Sequence, residues 1–87
     1  MADIQVPYDE DTISGSFSYD IINNVDYLTI FTSGLAAGTI TVAVMDGTTE
    51  RALESYTTDA SDVIGPLKGK NIRIVGATVT CDYLSLA

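Results

Sequence analysis

Asp9, Glu10 and Asp11 stand in an unbroken acidic row, Asp46 and Glu50 bracket "DGTTE", and Cys81 is the chain's one thiol. These are the side chains to which chemistry could be assigned. The carboxylates offer hard oxygen ligands of the kind calcium takes, but neither "DEDT" at 9–12 nor "DGTTE" at 46–50 has the full spacing of an EF-hand loop. With 0 histidines the commonest proton shuttle is absent, and neither a Ser–His nor a Cys–His pair can be assembled. Cys81 falls at an alternating position between Val79 and Tyr83, which reads as a small buried hydrophobe rather than a reactive thiol. No glycine cluster has phosphate-loop spacing. The expectation is a protein that is not an enzyme and carries no cofactor and no metal.

The five tyrosines are the other chemistry-bearing set. Tyr8, Tyr19, Tyr27, Tyr56 and Tyr83 could line a sugar-binding surface, yet all but Tyr8 lie within alternating runs, where a ring packs and its hydroxyl reaches solvent.

The elements that position these residues are strands. Short runs rich in Thr, Val, Ile and Tyr, broken by Gly, Asn or Asp, carry period-two alternation along the chain. "SGSFSYDII" sets Phe17, Tyr19 and Ile21 against Ser16, Ser18 and Asp20. After "NN" at 23–24, a turn, "VDYLTIFTS" sets Leu28 and Ile30 against Tyr27, Thr29 and Phe31, so both of its faces carry large apolar groups. "GLAAG" is a loop leading into strand 39–46, and Asp46-Gly47 predicts a hairpin pairing that strand with 50–57. "ERALE" contains good helix formers, but the segment is short and continues into "SYTT", so a strand is favoured. Residues 58–71 read as a connection in which Asp59 or Ser61 bonds nearby backbone N–H groups. "NIRIVG" and "TVTCDYLSLA" complete the set, with a change of phase at Leu84 and Leu86 that suggests a bulge or a departing tail. The fold class expected is all-β, a small antiparallel sandwich or partly open barrel of about six strands with an extended N-terminal arm. Residues 1–11 form the arm or an edge strand, since Pro7 removes a ladder donor, and 12–87 form a single domain.

An 87-residue chain with one cysteine can form no internal disulfide, and one Cys with 0 His argues against a structural zinc site, so association with other chains is the remaining usual support for so small a core. The residues expected at an oligomer interface are Leu35, Ala36, Ala37, Ala43, Met45, Leu84 and Leu86, the apolar groups in excess of one core. A formal charge of −8 argues against nucleic acid, and no apolar run has bilayer length, which argues against a membrane partner. The start lacks the charge and apolar block of a secretion signal, giving the expectation of a soluble chain made in the cytoplasm. Residues 1–50 contain no Lys or Arg, whereas Lys68, Lys70 and Arg73 cluster late, a candidate contact for an acidic partner or for the acidic half of a neighbouring copy.

A short acidic β domain that begins "MADIQVPYDED", is rich in Thr, Gly and Val and has no His or Trp resembles the small virion proteins of tailed bacteriophages, in particular capsid decoration (cement) proteins. The resemblance is one of overall character along the whole chain. It implies a homotrimer or other small oligomer seated on the outer face of a capsid, with the major capsid protein as partner. It also implies that Ile4, Val6 and Tyr8 add a strand to a shell edge, and that removing residues 1–11 abolishes binding without unfolding the domain.

Overall fold

The computed structural model describes residues 2–87, and among them the chain is all-β with no helix. The strands are β1 (Ala2–Ile4), β2 (Tyr8–Ile21), β3 (Leu28–Ser33), β4 (Ala37–Asp46), β5 (Thr49–Tyr56), β6 (Ser61–Ile64) and β7 (Ile72–Leu86). They belong to one mixed sheet of 7 strands in which only β1 pairs in parallel. The segment read as a strand over 50–57 is one, as favoured, and runs Thr49–Tyr56. The 39–46 hairpin forms with Asp46 opposite Thr49, and Gly47 takes φ 64 at the first central position alone, the requirement of a type II′ rather than a type I′ turn.

β7 organises the sheet. β2 pairs along its whole length on one side, while the other side is shared by β4 at residues 72–80 and β3 at residues 83–86. Two layers result. The first runs β1, the end of β2, the start of β7, β4, β5; the second runs the start of β2, the end of β7, β3, β6. They are joined where the long strands bend. β7 carries one extra residue against both neighbours at Ala77–Thr78, where Thr78 has φ 51 and its N–H donates to Ser16 Oγ at 3.0 Å. A shared bulge of this kind sharpens twist and turns a corner. Gly38 at φ 85 lies against it, and a Cβ there would strike the Thr78 carbonyl oxygen.

Core rows follow from the register. Ile21–Ile72–Val44, Tyr19–Ile74–Val42 and Phe17–Gly76–Ile40 face inward from the first layer; Leu86 with Ile30, and Leu84 with Thr32, face them from the second. Thr32 is the one buried polar side chain among the described residues, and its hydroxyl accepts the Ala60 N–H at 2.8 Å. Cys81 is buried as expected, its thiol directed at the Ser33 and Tyr83 carbonyls.

Several sequence expectations change here. The run read as a connection contains β6, because Ser61–Ile64 completes the ladder of β3, and "NIRIVG" and "TVTCDYLSLA" are one strand rather than two. Asp59 bonds backbone N–H groups, but distant ones, Gly34 at 3.2 Å and Leu35 at 2.7 Å. The phase change before Leu84 involves neither a register shift nor a departing tail: Asp11–Tyr83 and Ile13–Cys81 keep step, and the rotation occurs where Thr12 takes φ 51. Of the two alternatives for residues 1–11, the edge strand is the one that forms, with β1 at the end of the sheet, and the extended arm is corrected. Ile4 and Val6 are each only 7% exposed, β1 pairs with residues 19–21, and Asn23 clamps Val6 through its amide, accepting the Val6 N–H at 2.9 Å and donating to the Val6 carbonyl at 2.7 Å. Residues 4–8 cross from one layer to the other and belong to the core, so side chains at 4 and 6 are not displayed to a partner.

Candidate docking surface

Of the apolar residues expected at an oligomer interface, Leu35, Ala43, Leu84 and Leu86 are buried within the chain itself, which removes them from any contact this fold presents. Leu84 and Leu86 are consumed by the second layer. Ala43 is buried for a specific reason: it lies on the outer row Asp20–Arg73–Ala43–Ala52, beneath the span of Arg73. Arg73 donates from Nε to Asp20 at 2.7 Å and from Nη1 to Glu50 at 2.8 Å, so the small side chain beside it makes room for an ion-pair bridge over the outer surface. Arg73 therefore answers acids of its own chain. Ala36 and Ala37 are exposed, Met45 and Val44 are half-buried, and Lys68 and Lys70 are exposed on the loop before β7.

The apolar surface actually left outside lies elsewhere. Val63 is 60% exposed, Tyr27 58% and Phe31 43%, on or beside the outer face of the second layer. Phe31 meets Tyr83 edge to face at 6.1 Å, and Asp9 and Asp11 occupy the same face one or two strands away. Leu53, the extra residue of a bulge in β5, is also exposed and opens on a groove shared with Asp62, Val63 and Pro66. The two-sided apolar pattern of "VDYLTIFTS" signalled Tyr27 and Phe31. Val63 carried no signal, because a four-residue strand inside a polar, Gly-Pro-containing run has too little alternation to read.

The carboxylates considered for calcium are dispersed. Asp46 pairs with Arg51 at 3.2 Å, Glu50 with Arg73, and no group of three potential ligands converges among the described residues. Glu10 and Asp62 have a different use. Each sits on an edge strand of the second layer and points inward, a device that blunts edge-to-edge pairing. Glu10 Oε1 accepts the hydroxyls of Tyr8 and of Tyr19, the latter at 2.6 Å, and Asp62 Oδ2 accepts the Tyr56 hydroxyl at 2.9 Å. Tyr19 and Tyr56 belong to the first layer, so a phenol–carboxylate bond stitches each open side of the sandwich. Asp62 Oδ1 also accepts the Val63 N–H at 3.0 Å, covering a donor on the free edge of β6.

These bonds favour the neutral phenol. Tyr19 and Tyr56 are pushed above the ordinary value of 10.0, by desolvation first and by their carboxylate partners second, while Tyr8 is raised chiefly by its bond to Glu10. Above pH 10 the unfolded chain loses phenolic protons that the folded chain retains, so unfolding is favoured as pH rises. Thermal melts from pH 8 to 12 should therefore show a midpoint that is level below pH 10 and falls above it, with a shallower fall in Tyr19→Phe. An identical alkaline slope in that variant would refute the stitch.

Comparison with protein-family models, with curated proteins and with solved structures found no match for this chain. No helix among the described residues is long and apolar enough to cross a membrane.

Proposed function

We propose that the protein is a non-enzymatic structural component that works by adhesion, a capsid decoration protein that binds the outer surface of a tailed-phage shell as an oligomer and stabilises it. The observation that carries the adhesive reading is the surplus of apolar side chains: the core closes with Ile22, Tyr27, Phe31, Leu53 and Val63 left at the surface. Apolar surface of this kind on a small acidic domain is a contact waiting for a protein. The phage setting comes from the sequence resemblance, with the major capsid protein as partner and the capsid exterior as location. The docking mode differs from the arm insertion that the resemblance implied, since Ile4 and Val6 are already used, and the exposed faces and edges take its place.

The experiment is addition of purified protein to expanded phage shells. Saturable co-sedimentation and a raised shell melting temperature are expected; no binding at micromolar concentration would overturn the capsid reading. The open rings of Tyr27 and Phe31 favour one second reading, a tail or fibre adhesion module that stacks host glycan, and specific signals on a glycan array would select it.

A further inference from the structure

We propose that the outer face of the second layer docks a basic protein surface, whose arginines enter the space between the rings of Phe31 and Tyr83 and the carboxylates of Asp9 and Asp11. The inference rests on the adhesive reading above and names the chemistry of the partner.

The register lays out this face. Asp9, Ser85 and Phe31 form one row across β2, β7 and β3, Asp11 and Tyr83 stand side by side in the next, and Val63 continues the surface on β6. Neighbouring strands lie about 4.8 Å apart, so Asp9 and Phe31 are separated by about 10 Å with only a serine between them. The short side chain of Ser85 leaves room there for a planar group. Phe31 and Val63 are exposed, and Tyr83 is half-buried against Phe31.

Charge selects the occupant. On the first layer Arg73 answers Asp20 and Glu50, and Arg51 answers Asp46. The strand segments of the second layer, residues 8–15, 28–33, 61–64 and 79–86, contain Asp9, Glu10, Asp11, Asp62 and Asp82 and no Lys or Arg. Glu10 and Asp62 are bonded to tyrosine hydroxyls, whereas the carboxylates of Asp9 and Asp11 meet neither a cation nor a hydrogen-bond donor among the described residues. Lys68, on the loop before β7, follows Leu67, whose N–H donates to the Asp26 carbonyl before the start of β3, while Asp11 lies level with Ser33 at the other end of that strand. Any partner that covers Phe31 and Val63 therefore brings two unanswered carboxylates to the rim of the contact. A second copy of this face would set like charges against each other, which is repulsive. Arginine suits the place because its guanidinium lies flat on an aromatic ring while its N–H groups donate to a carboxylate beside it. The Val63 N–H is already covered by Asp62, so docking is through side chains and not by addition of a strand to β6.

NMR titration of the isotope-labelled chain with a short amidated peptide of alternating Arg and Ala tests this. Shift changes should centre on residues 9–11, 29–33, 61–63 and 83–85, and a peptide with Glu in place of Arg should leave them unmoved. Asp9→Asn/Asp11→Asn should weaken binding about tenfold, and Phe31→Ala by a similar factor. Asp3→Asn/Asp46→Asn removes the same charge from the first layer and should leave binding within about twofold of wild type. Circular dichroism on each variant checks the fold. Shift changes spread over the acids of both layers, equal weakening by the two charge pairs, or no binding at millimolar peptide overturns the proposal. So does the appearance of the same shifts when the protein is concentrated alone, which would put a second copy on the face.

Shell binding separates this proposal from the wider one. If Asp9→Asn/Asp11→Asn and wild type co-sediment equally with shells, the adhesive reading stands and this face is overturned as its contact. If wild type binds the Arg peptide at this face but binds no shell, the docking chemistry stands and the capsid reading falls.

Discussion

Gly38→Ala is expected to lose about 2–6 kcal/mol of stability, combining about 1–3 kcal/mol for a left-handed backbone with a similar amount for overpacking. At Gly38 φ is 85, and the atoms a methyl would meet are the carbonyl oxygens of Ala77 and Thr78, backbone that no rotamer change can move aside. Gly76→Ala provides the contrast. Its φ is unremarkable, and the obstacle is the ring of Phe17, its cross-strand partner, which lies over the bare glycine and stacks on Tyr19 at 4.7 Å. An aromatic laid over a strand glycine replaces the packing that the glycine lacks. Gly76→Ala should therefore cost about 1–3 kcal/mol alone and much less in a Phe17→Ala background, while Gly38→Ala should cost the same with or without Phe17. Urea denaturation of the double-mutant cycle checks this: additive effects of Gly76→Ala and Phe17→Ala would show that the ring is not what excludes a side chain.

Deleting residues 2–7 is the second large effect, and it reverses the expectation that the first eleven residues can be removed without unfolding. Loss of Ile4 and Val6 removes two side chains worth about 1.5–3 kcal/mol each, or about 3–6 kcal/mol together. The three ladder positions of β1 and the two Val6–Asn23 bonds go with them. A domain of this length is held by about 4–13 kcal/mol, so the truncated protein should melt far lower or not fold at all. Asn23→Ala in the full chain separates the parts, because it unclasps Val6 while leaving both apolar residues, and should lower stability by about 1–2 kcal/mol. A truncated protein with the melting temperature of the full chain would show that residues 2–7 contribute nothing to the core.

Most strands were legible because their alternation is strong. In "SGSFSYDII" Phe17, Tyr19 and Ile21, and in "TITVAV" Ile40, Val42 and Val44, are the residues whose register rows face the core, as their spacing of two predicts. What the residues could not tell was which apolar positions serve this chain and which serve another. Leu84 and Leu86 looked surplus because alternation breaks between Cys81 and Leu84, yet a twist at Thr12 on the neighbouring strand returns both to the core. Ala43 looked like interface surface because its neighbour across the ladder, Arg73, lies thirty residues away and only the folded register brings it overhead. The arm residues failed in the same direction. Ile4, Val6 and Tyr8 have the pattern of a strand offered outward, and nothing local shows that the side of the sandwich they close would otherwise be open. The candidate face was half visible, through Tyr27 and Phe31, and its charge was readable from the absence of any base before residue 51.

β7 is neighbour to β2, β3 and β4, and of the seven strands it is the last to be synthesised. Until it emerges from the ribosome, the earlier long strands have no common partner: β4 and β5 can form their hairpin and β3 can meet β6, but neither pair has a layer to cover it. Translation therefore delivers a largely uncommitted acidic chain whose mutual repulsion helps it stay apart from its siblings, and the domain is completed in one late, cooperative step.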